Sequence, residues 1–178
     1  MPRANVYLTG FMGSGKSTVG PLLAAKLDAA FVDLDASIER TMGVPLTALF
    51  ANHGEAAFRR AERAALRATT ERYGLVVAAG GGALLDEAAY RLAASAGTIV
   101  YLRMPIPVLA ERLAPEAAAR PLLHDPAGHP LAGEPLADRI SALLAQREAA
   151  YERADVIVQA DALPAATVAT WIAKALMR

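Results

Sequence analysis

A three-layer α/β fold, with a five-stranded parallel sheet between helices on both faces, is the architecture this sequence predicts. Three observations carry it. Apolar, β-branched runs recur along the chain, helical stretches separate them, and the first run leads straight into a glycine-rich segment that opens a helix. Most of the runs are near-continuous rather than alternating, as expected for strands covered on both faces.

The predicted strands are Val6–Thr9, Ala30–Leu34, Leu75–Ala79, Thr98–Leu102 and Val156–Val158. The first predicted helix, Lys16–Leu27, carries Val19, Leu22, Leu23 and Leu27 at helical spacing. Ala36–Met42, Leu46–Asn52 and Glu55–Tyr73 follow the second strand. Glu87–Ser95 follows the third, Pro107–Leu113 the fourth, and Leu136–Tyr151 precedes the fifth. In the closing helix, Pro164–Leu176, Trp171 shares helical spacing with Val168, Ile172 and Ala175, which predicts a core-facing role. The stretch from Pro115 to Pro135 holds five prolines, and neither a long helix nor a strand is expected there. A loop of that length in a compact domain is a functional element or a surface excursion. Arg120 lies inside it.

At 178 residues the chain, 1–178, is expected to form one domain with a sizeable core. Lysine plus arginine and aspartate plus glutamate both number 18, so the net charge is zero and nothing points to nucleic acid or membrane surfaces as partners. The absence of cysteine excludes disulfides and thiolate metal sites. No secretory h-region and no apolar run of membrane length is seen, so a soluble cytoplasmic protein is expected.

The segment Gly10-Phe11-Met12-Gly13-Ser14-Gly15-Lys16-Ser17-Thr18 matches the phosphate-binding pattern G-x-x-x-x-G-K-[ST] at every position. Its strand–loop–helix setting is the one the pattern requires. The turn over Gly13, Ser14 and Gly15 aims main-chain N–H groups inward. Lys16 reaches the terminal phosphates of ATP, Ser17 offers its hydroxyl to Mg²⁺, and the helix N-terminus through Thr18 favours an anion. The dinucleotide pattern G-x-G-x-x-G fails, because Thr18 stands where its third glycine belongs.

Three further groups bear on chemistry. Asp33-Leu34-Asp35 ends the second predicted strand, with both carboxylates on one side by alternation. Asp33 suits Mg²⁺ and Asp35 suits acceptance of a hydroxyl proton; the competing reading is a solvated turn with Asp35 capping the next helix. Gly80, Gly81 and Gly82 end the third strand, either exposing amides to a carboxylate or phosphate or making a turn at positive φ. Among the arginines, Arg59 has Glu62 three residues on to orient it, Arg139 begins the helix after the proline-rich segment, and Arg63, Arg67 and Arg72 read as solvated. A substrate carboxylate calls for such guanidinium forks. His53, His124 and His129 have no partners at metal-ligand spacing.

Together these residues resemble shikimate kinase over essentially the whole chain. The similarity runs through G-F-M-G-S-G-K-S-T at 10–18, F-V-D-L-D at 31–35, and G-E-x-x-F-R-x-x-E from Gly54 and Glu55 through Phe58 and Arg59 to Glu62. It continues in the triplet at 80–82, R-P-L-L at 120–123, and R-x-x-x-Y-x-x-A-D at Arg147–Asp155. The resemblance implies strand order 2-3-1-4-5, a mobile lid over about 113–130, an acceptor region over about 33–62, and transfer of the ATP γ-phosphate to the 3-hydroxyl of shikimate. It implies Asp35, Arg59, Gly80, Gly81, Gly82 and Arg139 as shikimate contacts, with Phe50 and Phe58 as pocket walls. Lys16, Ser17 and Asp33 become the phosphate–Mg²⁺ set, Arg120 the lid arginine, and Arg112 and Pro164 the residues beside adenine. The family often shows R-T shortly before R-P-L-L; here Arg112 is followed by Leu113-Ala114-Pro115-Glu116.

The expected activity is therefore ATP-dependent phosphorylation of shikimate by a monomeric enzyme. Two rivals remain at this level: a kinase for another small hydroxy acid such as gluconate, and a non-catalytic ligand-sensing module. The second would ordinarily carry a further DNA-binding region, for which the chain has no spare residues.

Overall fold

The computed structural model describes residues 4–161 and 163–177. Five strands form one sheet: β1 (Asn5–Thr9), β2 (Ala30–Asp33), β3 (Leu75–Ala78), β4 (Gly97–Arg103) and β5 (Val156–Gln159). Their order is β2-β3-β1-β4-β5, and every pairing is parallel. All C-terminal strand ends therefore share one edge. The chain turns from one half of the sheet to the other beside β1, the switch point where α/β sheets open a crevice. The helices are α1 (Lys16–Leu27), α2 (Leu34–Met42), α3 (Leu46–Thr70), α4 (Glu87–Ala96), α5 (Ile106–Leu113), α6 (Gly133–Ala145), α7 (Glu148–Tyr151) and α8 (Ala165–Leu176). Among the described residues, no helix is long and apolar enough to cross a membrane.

Strand alternation divides the core. Val6 and Leu8 of β1 join Leu23 of α1 and Val168 and Ile172 of α8 on one face. Tyr7 points the other way, into Leu66 of α3 and Ala89 and Ala93 of α4. Interior strands β1 and β3 are buried throughout, while edge strands β2 and β5 are partly exposed. Asn5 fastens the start of the sheet: its amide donates to the carbonyls of Thr69 and Arg72 and its Oδ1 accepts from Leu75 N. A third, small cluster of Ile38, Leu49 and Phe58 binds α2 to α3.

The structure departs from the sequence reading in several places. Trp171 is 63% exposed, and Ala175 is exposed with it. The buried stripe of α8 is Val168, Ala169, Ile172 and Ala173, because small residues allow close approach to α1 and leave the indole outside. Leu22 is likewise exposed, while Gly20 and Ala24 fill the stripe with Val19 and Leu23. The helices expected on either side of residues 53–54 form one element kinked at Gly54 (φ 74°, ψ 175°), a conformation glycine permits, and it ends at Thr70 rather than Tyr73. The helix expected over Leu136–Tyr151 is two, α6 and α7, and Arg139 lies inside α6 rather than at its start. The proline-rich segment has neither a long helix nor a long strand, as expected, but it is built of short elements. Ala114–Ala119 and Pro121–Leu123 form 3₁₀ turns, a bridge joins His124 to Pro130, and Ala117 and Leu123 are buried. Pro115, Pro121 and Pro126 sit near the starts of turns, where their missing N–H costs nothing.

Candidate active site

The loop after β1 is built for an anion. Gly15 takes φ 94° at the N-terminus of α1, and no side chain caps that end. The N–H groups of Lys16 and Ser17 are thus left for a ligand, while Thr18 N already donates to Gly15 O at 3.1 Å. Lys16 folds back over its own loop, donating from Nζ to Gly10 O at 2.8 Å and Phe11 O at 3.0 Å. Among the described residues, no carboxylate lies within ion-pair distance of it. Burial pushes its pKa down to about 8, against the pull of Asp35 and Asp33 and with the repulsion of Arg120 and Arg147.

The two aspartates occupy different settings, which corrects their placement on one strand face. β2 ends at Asp33, and Asp35 belongs to the first turn of α2. Asp33, not Asp35, is the cap: its Oδ1 accepts from the N–H groups of Asp35 and Ala36 at 3.0 and 3.3 Å. Its Oδ2 accepts from the Ser17 hydroxyl at 2.8 Å. Asp35 points into the cleft, and its pKa is raised first by burial and then by Asp33.

The glycine triplet makes room for these groups. None of Gly80, Gly81 and Gly82 takes a positive φ, so the left-handed turn is not why glycine stands there. A Cβ on Gly80 would lie 2.9 Å from Asp35 Oδ1, and one on Gly82 would lie 3.0 Å from Arg59 Nη1. Arg59 is fixed from α3 itself: Nη1 donates to Glu62 at 2.8 Å, and Nε and Nη2 reach Glu55 at 3.3 Å. Glu62 is buried, and that burial raises its pKa against the opposing pull of Arg59. Phe50 and Phe58 pair with ring centroids 4.5 Å apart, Phe50 half-open to solvent and Phe58 buried.

A cleft of about 530 Å³ unites much of this set. Residues 12–19 line it with Asp35, Gly81, Arg112 and Arg120, and Leu163 and Ala165 flank it on the far side. Pro164, between those two, is not itself a wall. Arg112 reaches from α5 to Gly13 O at 3.2 Å. Arg120 is held by Glu116 through Nε and Nη2. Arg139 stands outside this cleft and donates from Nε to Leu122 O at 2.9 Å, tying α6 to the proline-rich segment. Arg59, Phe50 and Phe58 line no part of it either; Arg59 packs on Gly82 of the triplet and lies over the Phe58 ring at 5.3 Å.

Three contributors escaped the sequence reading. Glu116 lines the cleft and pairs with Arg120. Arg147 lies over the Phe11 ring at 5.7 Å, and Tyr151 donates to Gly81 O. The i, i+4 spacing of Arg147 and Tyr151 on one helix face was the available signal. The histidines serve locally: His124 contacts Ala117 O and His129 pairs with Asp125, while His53 is exposed.

A family model described as shikimate kinase matches residues 12–177. A shikimate kinase from Chlorobium chlorochromatii is 48% identical over 157 residues, covering 88% of this chain and 82% of that protein. The solved structure of shikimate kinase from Acinetobacter baumannii in complex with shikimate superposes with a TM-score of 0.88 at 32% identity, covering 98% of this chain and 93% of its own. A gluconokinase from Sinorhizobium meliloti reaches a TM-score of 0.61 at 23% identity over 98% of this chain and 92% of its own, a likeness of fold alone.

Proposed function

The chain belongs to the shikimate kinase family, and from that premise we infer that it catalyses ATP-dependent phosphorylation of shikimate on the 3-hydroxyl, giving shikimate 3-phosphate and ADP. The observation that carries the reading is the meeting of Lys16, Asp35 and Gly81 in one cleft, with Arg59 packed on the same glycine triplet. A phosphate cradle and a guanidinium fork within reach of one carboxylate suit transfer to a hydroxyl on an acid.

The residues divide the work. The amides of Gly13, Ser14, Gly15 and Thr18 receive the triphosphate, and Lys16 leaves its carbonyl partners for the terminal phosphates. Arg112 and Pro164 flank adenine. Arg59 and Arg139 grip the acceptor's carboxylate and Gly80, Gly81 and Gly82 hold it, with Phe50 and Phe58 walling the pocket. Asp35 accepts the proton of the attacking hydroxyl as the oxygen bonds to the γ-phosphorus and the bond to the ADP oxygen breaks. Its raised pKa fits that duty. The segment over about 113–130 acts as a lid that carries Arg120 to the transferring group and excludes water.

Ser17 and Asp33 present a hydroxyl and a carboxylate side by side, hard oxygen donors of the kind Mg²⁺ takes. Among the described residues no three His, Asp or Glu side chains gather as a metal cage. A site with few protein ligands fits a cation that keeps most of its waters and phosphate oxygens. When bound, it would neutralise charge on the phosphates. The reading carries a cytoplasmic monomer acting on ATP and shikimate as one 1–178 domain.

ADP release from ATP, followed with shikimate, with gluconate and with neither, tests this. Shikimate-dependent release is expected. Release that answers to gluconate instead, or shikimate binding with no release at all, would overturn it in favour of another acid kinase or a sensing module.

A further inference from the structure

α7 is a single helical turn standing between the phosphate loop and the glycine triplet. Tyr151 within it is 1% exposed, with its ring beside Tyr101 at 5.1 Å between centroids. Its hydroxyl donates to the carbonyl of Gly81 at 2.5 Å. Arg147, one turn earlier, accepts from Tyr151 N at its carbonyl at 3.1 Å, and its guanidinium lies over Phe11 of the phosphate loop.

The Gly81 carbonyl and the Gly82 N–H belong to one peptide plane. Among the described residues no peptide is cis, so the two groups point in opposite directions. A carbonyl held toward α7 turns the Gly82 N–H away from it. Among the described residues that N–H has no acceptor. Glycine on both sides leaves the plane unusually free to rotate, so the partner of the carbonyl decides which way the amide faces.

We propose that Tyr151, steadied by Arg147, is a positioning residue for the acceptor: by holding the Gly81 carbonyl it aims the Gly82 N–H at an oxygen of the bound acid. The proposal rests on reading the glycine triplet as acceptor-binding. Burial pushes the Tyr151 hydroxyl up to about 12, so it remains a donor throughout the working range. Arg147 joins the same turn to Phe11, which puts the acceptor amide and the phosphate loop on one rigid support.

Tyr151→Phe keeps the ring against Tyr101 and removes only the hydroxyl. The shikimate KM is expected to rise about tenfold, with the ATP KM within about twofold of its starting value. An unchanged shikimate KM, or an equal rise in both, would reduce Tyr151 to core packing and overturn the proposal. The amide chemical shift of Gly82 in the ligand-free protein, which follows the hydrogen bond on the Gly81 carbonyl, gives a second readout. A changed shift in the variant supports the hold on the peptide plane, and an unchanged shift refutes it. Wild-type protein that fails to bind shikimate sinks the functional reading instead, while the shift comparison still judges Tyr151.

Discussion

The phosphate loop and the acceptor wall both offer cations to an anion, yet they keep those cations in opposite states. Lys16 rests on neutral carbonyls of its own loop, and burial has lowered its pKa to about 8. Arg59 rests on two carboxylates, Glu62 buried and Glu55 exposed. The lysine waits without a fixed counterion, so an arriving phosphate supplies what the fold withholds. The arginine is already paired and oriented, so the acceptor meets a fork held in place. The first arrangement favours strong response to charge; the second favours geometry.

Replacing Lys16 by Met tests the first half hardest. Turnover in the coupled ADP assay should fall by about a thousandfold or more, with circular dichroism unchanged. Thermal stability should hold or rise, because a desolvated cation has been removed from the ligand-free fold. Near-normal kcat would erase the distinction between the two regions.

Asp35→Asn strikes the point where they meet. We expect kcat to fall by about 10²- to 10⁴-fold, with affinity for a non-hydrolysable ATP analogue within about threefold. Lost nucleotide affinity with catalysis spared would move Asp35 to the metal and Asp33 to the proton.

The acceptor wall should respond to acid through Glu62. Its folded-state pKa is raised by burial, so it takes up a proton above the ordinary carboxylate range as pH falls. Protonation weakens its hold on Arg59, and the shikimate KM should rise as pH falls, from above the ordinary carboxylate range downward. The sign for stability is the reverse: the folded state binds the proton more tightly, so this carboxylate costs stability above its folded pKa and that cost fades on acidification. In Glu62→Gln the KM should be higher at pH 7 and flatter across the range. An unchanged pH profile in that variant would place the titration elsewhere.

Glu116→Gln should have the smallest effect. Arg120 and Glu116 are both partly exposed, and such pairs contribute little. Freeing Arg120 should raise ATP-analogue affinity about twofold at low salt. A fall would show that Glu116 orients the arginine rather than restraining it.

Much of the fold was legible because its signals are local. All five strands fall within two residues of their predicted ends, and α1 falls on its predicted bounds, since apolar runs and a phosphate loop act over neighbouring residues. Burial of individual helix residues was less legible. Trp171 and Val168 share a spacing, yet only Val168 is inside, because α1 accepts Ala169 and Ala173 more closely than an indole. The break between α6 and α7 at Arg147 was hidden in a continuous helical pattern. So were the short turns within the proline-rich segment, whose Ala117 and Leu123 gain burial only from their surroundings.

The amino-acid sequence by itself determined the phosphate loop, the parallel strand set and the identity of the charged groups. Each depends on contacts within one strand, turn or helix. Tertiary structure alone decided that Leu122 holds Arg139 and that Tyr151 reaches back seventy positions to Gly81. A parallel sheet brings distant strand ends to one edge, and which side chains then meet is settled by packing that no single segment contains.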